Sequence, residues 1–218
     1  MIFTTSLAEH LRKPSGRSLT IGLNLILLFA LFNTRPFQNV ASAQEMNIRS
    51  SIQSKSDAQL VEELASTNDA RADAAVEEVL SRGDRMLPLL IQKKGDRRFF
   101  RGWLTREDGQ AAVMVPIPTG NSKRDKKYLK EGKLVTVEVA AIYLITAIFY
   151  DSLDIAQSPY LTDHALPGIK RRMANTPPLV KRAWKAIEGW YQRLASSNLT
   201  TLRAKDDDPL STADVDFW

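Results

Sequence analysis

Residues 134–150 read LVTVEVAAIYLITAIFY, and this apolar stretch decides the fold. Its first valines alternate with other residues as in a strand, but the run is too long and continuous for one strand. We predict a buried central helix with Thr136 as its cap. Glu138 would then lie in the first turn, where a carboxylate is favoured. The alternative is a membrane span, for which about 17 residues is short of the roughly 20 that a bilayer requires.

The most regular amphipathic helix lies on the C-terminal side of this stretch. Thr176 is followed by Pro177 and Pro178, a pattern typical of a helix start. Apolar residues recur from there at helical spacing as far as Leu194, so this segment is predicted to bury one face. Residues 151–173 contain prolines and a glycine and are predicted to be a loop. Residues 197–218 are polar and acidic and are predicted to be a disordered tail, with Phe217-Trp218 as a candidate anchor.

Short helices are predicted on the N-terminal side. Ser56 and Gln59 form an S-x-x-Q capping box, which predicts a helix start at this point. A second helix is predicted from Ala70 to Arg82, because apolar and small residues share one face. Gly83 follows where a helix end favours a left-handed residue.

Part of this region resembles a HEAT-type helical repeat, over about residues 56–95. The matching positions are Asp69, Arg71, Ala74, Ala75, Leu80, Gly83, Asp84, Pro88, Leu89 and Leu90. The resemblance implies a binding scaffold without catalytic residues. Such repeats stack in groups of about three, and the sequence has no second copy. We therefore expect a compact helical domain over 56–196 that begins with a HEAT-like hairpin.

Positive charge is concentrated between Lys93 and Lys133, which contains 12 basic and 5 acidic residues, net +7. Aromatic residues lie among the arginines, a pattern suited to binding an anionic partner. Residues 111–118 (AAVMVPIP) are apolar but contain two prolines, so they predict at most a short β segment. The fold class is thus mainly α. The candidate binding residues are Arg97, Arg98, Arg101, Trp103, Lys123, Arg124, Lys126 and Lys127.

The N-terminal segment is predicted to be an export signal. Arg12, Lys13 and Arg17 precede an apolar run over residues 19–32, and Ala41-Ser42-Ala43 matches a signal-peptidase site. Cleavage between Ala43 and Gln44 would remove residues 1–43 and leave residues 44–55 as a polar linker. The exported protein would lie in the periplasm or be secreted. If it is not cleaved, the segment is a membrane anchor with the rest of the chain facing outward.

Processing also changes the charge. Residues 1–43 contain four basic and one acidic residue, so the remaining chain has 26 basic against 24 acidic residues, net +2. This small net charge argues against nucleic acid as a partner, and the exported location disfavours it further. The chain has no cysteine, which excludes disulfides, thiol nucleophiles and thiolate metal sites.

Catalytic residues are hard to assemble from this sequence. One histidine, His164, remains after cleavage, and no nucleophile elbow or metal-ligand spacing is present. Five residues are the weak candidates for an exported hydrolase: Glu138, Asp151, Asp154, Asp163 and His164. We expect no cofactor and no metal. The preferred hypothesis is a non-catalytic interaction or scaffold protein of the cell envelope, whose partner is an envelope protein or an anionic polymer.

Overall fold

The computed structural model describes residues 36–102, 121–153, 155, 159–164 and 174–217, with only the backbone for 36–42 and 122. The chain divides into two units between Gln44 and Glu45, and the core belongs to the second, Glu45–Trp218. The helices are α1 (Pro36–Gln53), α2 (Asp57–Glu63), α3 (Asp69–Arg82), α4 (Leu87–Ile91), α5 (Ser122–Lys130), α6 (Val137–Tyr150), α7 (Pro177–Ala195) and α8 (Leu199–Ala204). A 3₁₀ turn, Gly83–Met86, joins α3 to α4, and strands β1 (Leu161–Asp163) and β2 (Val215–Phe217) form an antiparallel pair.

The predicted central helix is confirmed as α6. Every residue from Val137 to Phe149 is buried, and only Tyr150 at its end is exposed. Helix α6 contacts α3, α4, α7 and α8, so it is surrounded and has no polar face. The start of α6 combines a strand-like contact with a helix, because Thr136 makes an isolated β-bridge with Phe99 before the helix begins. Thr136 is the N-cap residue, but its side chain makes no capping hydrogen bond.

Local sequence signals define the ends of the surrounding helices. The capping box of α2 is confirmed: Ser56 accepts from the Gln59 N–H at 3.3 Å, and the Gln59 side chain accepts from the Ser56 N–H at 3.1 Å. Helix α3 ends at Arg82 and is capped by Gly83, whose φ is +63°. Helix α7 starts at Pro177 after Thr176, as predicted. Each of these signals acts over a few residues, which is why the sequence alone reveals it.

Three segments differ from the prediction, and the shortest of them is Leu161–Asp163, which forms β1 within the predicted loop 151–173. Residues 44–53, predicted as a linker, are the second half of α1, because Ile52 is fully buried and Ile48 packs beside it on the core. The predicted cleavage point between Ala43 and Gln44 lies within this helix. Residues 197–217, predicted as a disordered tail, form α8 and β2. Their apolar side chains enter the core, and the ring of Phe217 packs edge-on against Tyr143 at 4.9 Å.

The mainly α fold class is confirmed over the part of the chain that the structure describes. Its one small sheet pairs Leu161 with Phe217 and Asp163 with Val215. The β segment predicted at residues 111–118 lies outside the described residues. Among the described helices, none is both long enough and apolar enough to cross a membrane.

Candidate functional site

The predicted basic region divides into two parts with different surroundings. The first, called here the arginine segment, consists of Arg97, Arg98 and Arg101. Arg97 lies 2.9 Å from Glu138, and Arg101 lies 2.9 Å from Asp69. Arg98 binds two carboxylates, Glu62 at 2.8 Å and Asp96 at 2.6 Å. All three arginines therefore hold parts of the fold together.

The pKa values of the carboxylates in this segment are lowered by the cations beside them. Hydrogen bonds from Lys93 and then Arg98 lower the pKa of Glu62. The Arg98 guanidinium lowers the pKa of Asp96, and the two acids together raise that of Arg98. Removing the carboxylates would leave the cations without partners, and removing the cations would leave the carboxylates without partners. The arginine segment is thus an ion-pair network in which each cation is paired with carboxylates of the chain itself.

Glu138 joins this network to the central helix. Its side chain is only 7% exposed and accepts a hydrogen bond from the Gly95 N–H at 3.0 Å. Burial raises the pKa of Glu138, and the nearby Arg97 charge and the Gly95 N–H oppose that rise. The carboxylate therefore satisfies a backbone donor and a guanidinium at the start of α6. These contacts account for the burial of the Glu138 side chain.

The second part is α5, called here the cationic helix. Asn121 caps it by accepting hydrogen bonds from the backbone N–H groups of Lys123, at 3.2 Å, and Arg124, at 3.3 Å. Lys123, Lys126 and Lys130 are exposed, and no hydrogen bond or ion pair joins their side chains to a described residue. A row of ammonium groups without a partner among the described residues is therefore held on a capped, ordered helix.

An aromatic ring lies among these charges. The guanidinium of Arg124 is 5.1 Å from the centre of the Tyr128 ring, and its Nε donates to the Tyr128 hydroxyl at 3.1 Å. Lys133 lies 5.5 Å from the centre of the same ring. Lys127 approaches Glu131 only at 3.9 Å. Tyr128 therefore orients Arg124 on the surface, while most of the helix's positive charge still faces solvent.

The aromatic part of the predicted binding surface differs from expectation. Phe100 is buried in the core, and Phe99 is half-buried, with its backbone bridged to Thr136. Trp103 lies outside the described residues. Tyr128 and Lys130 also belong to the cationic helix, although neither was among the predicted binding residues. Their i, i+4 relation to Arg124 and Lys126 was the available signal.

Among the described candidate hydrolytic residues, the two carboxylates of α6 and its cap are too far apart to act as a pair. Glu138 and Asp151 lie at opposite ends of α6, about 20 Å apart for a rise of 1.5 Å per residue. A glycosidase pair needs a separation of about 5 to 9.5 Å. Asp163 pairs with Arg182 at 2.7 Å, and the backbone N–H of the exposed His164 donates to the Asp214 carbonyl at 2.9 Å. Asp154 lies outside the described residues.

A cleft of about 560 Å³ lies beside the C-terminal end of α6. Asp84, Asp151 and Ser152 lie on its rim, and Leu80, Leu153 and Leu199 contribute apolar surface. Arg203 also lines it and donates to the carbonyls of Ile148, at 2.5 Å, and Phe149, at 2.6 Å. The guanidinium thereby compensates the negative end of the helix dipole. Within the described residues, no group of three or more metal-ligating side chains is present here or elsewhere.

Comparison of the chain with family models, with curated proteins and with solved structures finds no match. The geometry is therefore the basis for a functional proposal. Of the cationic helix and the cleft, the cationic helix carries several like charges that have no partner among the described residues.

Proposed function

We propose that this chain is an exported, non-catalytic interaction protein of the cell envelope, which binds an anionic partner through the cationic helix. The observation that carries the proposal is the contrast in charge pairing. The three arginines of the arginine segment contact carboxylates, whereas Lys123, Lys126 and Lys130 face solvent without a described partner. Several like charges on one ordered surface attract an anionic ligand at long range.

The helical architecture supports the same proposal. Residues 56–95 resemble a HEAT-type repeat, whose relatives mostly act as binding scaffolds. The hydrolase alternative would need an acid and a base within reach of one substrate, and Glu138 and Asp151 lie too far apart for that. An envelope protein or an anionic polymer suits the cationic helix better than a nucleic acid does, because export separates the chain from nucleic acids.

Titration with inorganic polyphosphate tests the cationic helix directly. The double variant K123Q/K126Q should lower the slope of log affinity against log salt concentration by about two, since each lysine lost removes about one counterion-release contact. The matched control is K181Q/K185Q, which removes two exposed lysines from α7. Equal losses in the two variants would contradict a specific role for the cationic helix.

The location is tested separately. The intact mass of the protein recovered from cell fractions distinguishes a chain that starts at Gln44 from one that retains residues 1–43. A start at Gln44 supports a secreted or periplasmic protein. A retained segment in the membrane fraction supports the alternative of an N-terminal anchor, and recovery from the cytoplasm would contradict export.

A further inference from the structure

Two oppositely charged surfaces lie on the same folded unit. The basic end consists of residues 122–133, which contain six basic and two acidic residues, net +4. The acidic end consists of residues 205–217, which contain one basic and five acidic residues, net −4. No ion pair joins the two ends among the described residues. Each end therefore keeps most of its charge within one copy of the chain.

The two ends are attached to opposite ends of α6. The basic end leads into the start of α6 through Leu134, Val135 and Thr136, and the Lys133 carbonyl accepts a hydrogen bond from the Tyr160 hydroxyl at 3.0 Å. The acidic end follows α8, whose Arg203 binds the last carbonyls of α6. The backbone N–H of Asp206 donates to the Arg203 carbonyl at 3.1 Å. A helix about 20 Å long thus separates the two attachment points.

The acidic end is held rigidly. Trp190 donates its indole N–H to the Asp207 carbonyl at 2.9 Å, and Arg193 pairs with the Asp207 carboxylate at 2.6 Å. Strand β2 pairs with β1 and fixes the other part of the segment. Three carboxylates remain exposed on this frame and have no ion pair with a described side chain: Asp206, Asp214 and Asp216. The acidic end is therefore a fixed surface that needs little ordering when it binds.

Tyr150 adds an aromatic ring to the acidic end. It is the last residue of α6, is 54% exposed, and is one of two large hydrophobic residues exposed in the described part of the chain. Burial of its hydroxyl, followed by the charges of Asp208, Asp216 and Asp206, raises the pKa of Tyr150. The phenol therefore stays neutral at physiological pH. A ring among carboxylates is suited to a lysine ammonium, through cation–π and ionic attraction together.

We propose that the chain associates with itself head to tail, with the cationic helix of one copy bound to the acidic end of the next. The inference rests on the proposed function and names the anionic partner as a second copy of this chain. The contact is heterologous, because two different surfaces meet, so it continues into rings or open filaments. The two surfaces carry equal and opposite net charge, and the acidic end supplies the aromatic ring that a lysine-rich helix can contact.

Sedimentation velocity on the full chain tests this arrangement. At low salt the mean mass should rise with protein concentration, and it should return to that of the monomer at about 1 M salt, where the Debye length is about 3 Å. Variant K123E/K126E disrupts the basic end. Variant D206N/D214N removes two negative charges from the acidic end. Asparagine tolerates the left-handed backbone at these positions, where φ is 51° and 48°. Each variant alone should remain monomeric.

Mixing the two variants gives the decisive result. One retains an intact acidic end and the other an intact basic end, so an equimolar mixture should form a dimer and stop there. The control K181E/K185E changes the same net charge on α7 and should associate like the unmodified chain. Circular dichroism and thermal unfolding should show that each variant folds.

Two outcomes would overturn the proposal. The first is an unmodified chain that stays monomeric at low salt. If polyphosphate still binds through Lys123 and Lys126 in that case, the proposed function stands and only self-association is rejected. The second is a mixture of the two variants that fails to dimerise, or a control that loses association as completely as K123E/K126E. Self-association would then not use these two ends.

Discussion

The arginine segment and the cationic helix look alike in the sequence and differ in the fold. Both are rich in positive charge, and both lie between Lys93 and Lys133. The arginines contact carboxylates contributed by α2, α3 and α6, whereas Lys123, Lys126 and Lys130 of α5 face solvent without a described partner. The difference teaches that a count of basic residues measures available charge poorly. What matters for binding is the charge that remains after the chain's own acids have been paired.

The largest effect should come from the backbone that connects the cationic helix to the core. Gly132 has φ +69°, and a Cβ at this position would lie 2.6 Å from the backbone nitrogen of Asn175. Gly132→Ala should lower the free energy of unfolding by about 3 kcal/mol, since the left-handed strain of about 1 to 2 kcal/mol adds to a clash with backbone. Chemical denaturation measures this change.

The matched control lies next to the arginine segment. Gly95 has φ +79° and open space around the added Cβ, so Gly95→Ala should cost only the backbone strain of about 1 kcal/mol. Equal losses for the two glycines would mean that the contact with Asn175 is not tight. The cationic helix would then be less firmly anchored than the structure indicates.

The next effect compares two glutamates seven residues apart. Glu138→Ala should lower the free energy of unfolding by about 2 kcal/mol, because the Gly95 N–H and Arg97 both lose their acceptor. Glu131→Ala, beside the cationic helix, should cause no measurable loss, since Glu131 pairs with Lys133 at the surface. Urea titration of both variants measures the difference. A large loss for Glu131 would argue that the cationic helix is also a structural ion-pair region.

A smaller expected effect distinguishes a residue that stabilises the fold from a residue that binds polyphosphate. Arg98→Gln should lower the free energy of unfolding by about 1 kcal/mol, because two surface carboxylates lose a shared partner, and it should leave polyphosphate affinity unchanged. Lys126→Gln should do the reverse, weakening polyphosphate binding without lowering stability. Thermal unfolding and polyphosphate titration of both variants provide the two readouts. If both substitutions change both properties, the division of the basic region is wrong.

The sequence predicted the helices better than the candidate site, for a physical reason. The capping box of Ser56, the proline start of α7 and the apolar run of α6 are local signals. The ion pairs of the candidate site join residues that are distant in the chain. Arg98 pairs with Glu62, 36 residues away, and Arg97 pairs with Glu138, 41 residues away. The acidic tail was predicted wrongly for the same reason. Its order depends on Arg193, Trp190 and Tyr143, which are distant in the chain.

The smallest expected effect concerns pH. The pKa values of Glu62, Glu63 and Asp96 are lowered by hydrogen bonds from Lys93, Arg71 and Arg98, respectively, as their largest causes. A carboxylate whose pKa is lowered in the folded state stabilises the fold at a pH above its ordinary pKa, near 4. This stabilisation is lost as the pH falls through the pKa of the folded state. The buried Glu138, whose pKa is raised, acts in the opposite sense and at higher pH.

Unfolding measured between pH 7 and about pH 3 should show this acid loss in the unmodified chain. Arg98→Gln should reduce the loss, because Asp96 and Glu62 then titrate closer to their ordinary values. Lys126→Gln should follow the unmodified chain at every pH. An identical profile for Arg98→Gln would show that this arginine does not influence the two acids in solution.

The complete burial of α6 also determines how the molecule exchanges hydrogen with solvent. The amide protons of Ile142 to Ala147 lie in the middle of a helix that is covered by four other helices. They can meet deuterium oxide only when the whole core opens, so their exchange rates report the global free energy of unfolding. Amides of α5, at the surface, exchange after local opening alone. Two sets of backbone protons in one sample thus measure the stability of the core and the fraying of the cationic helix independently.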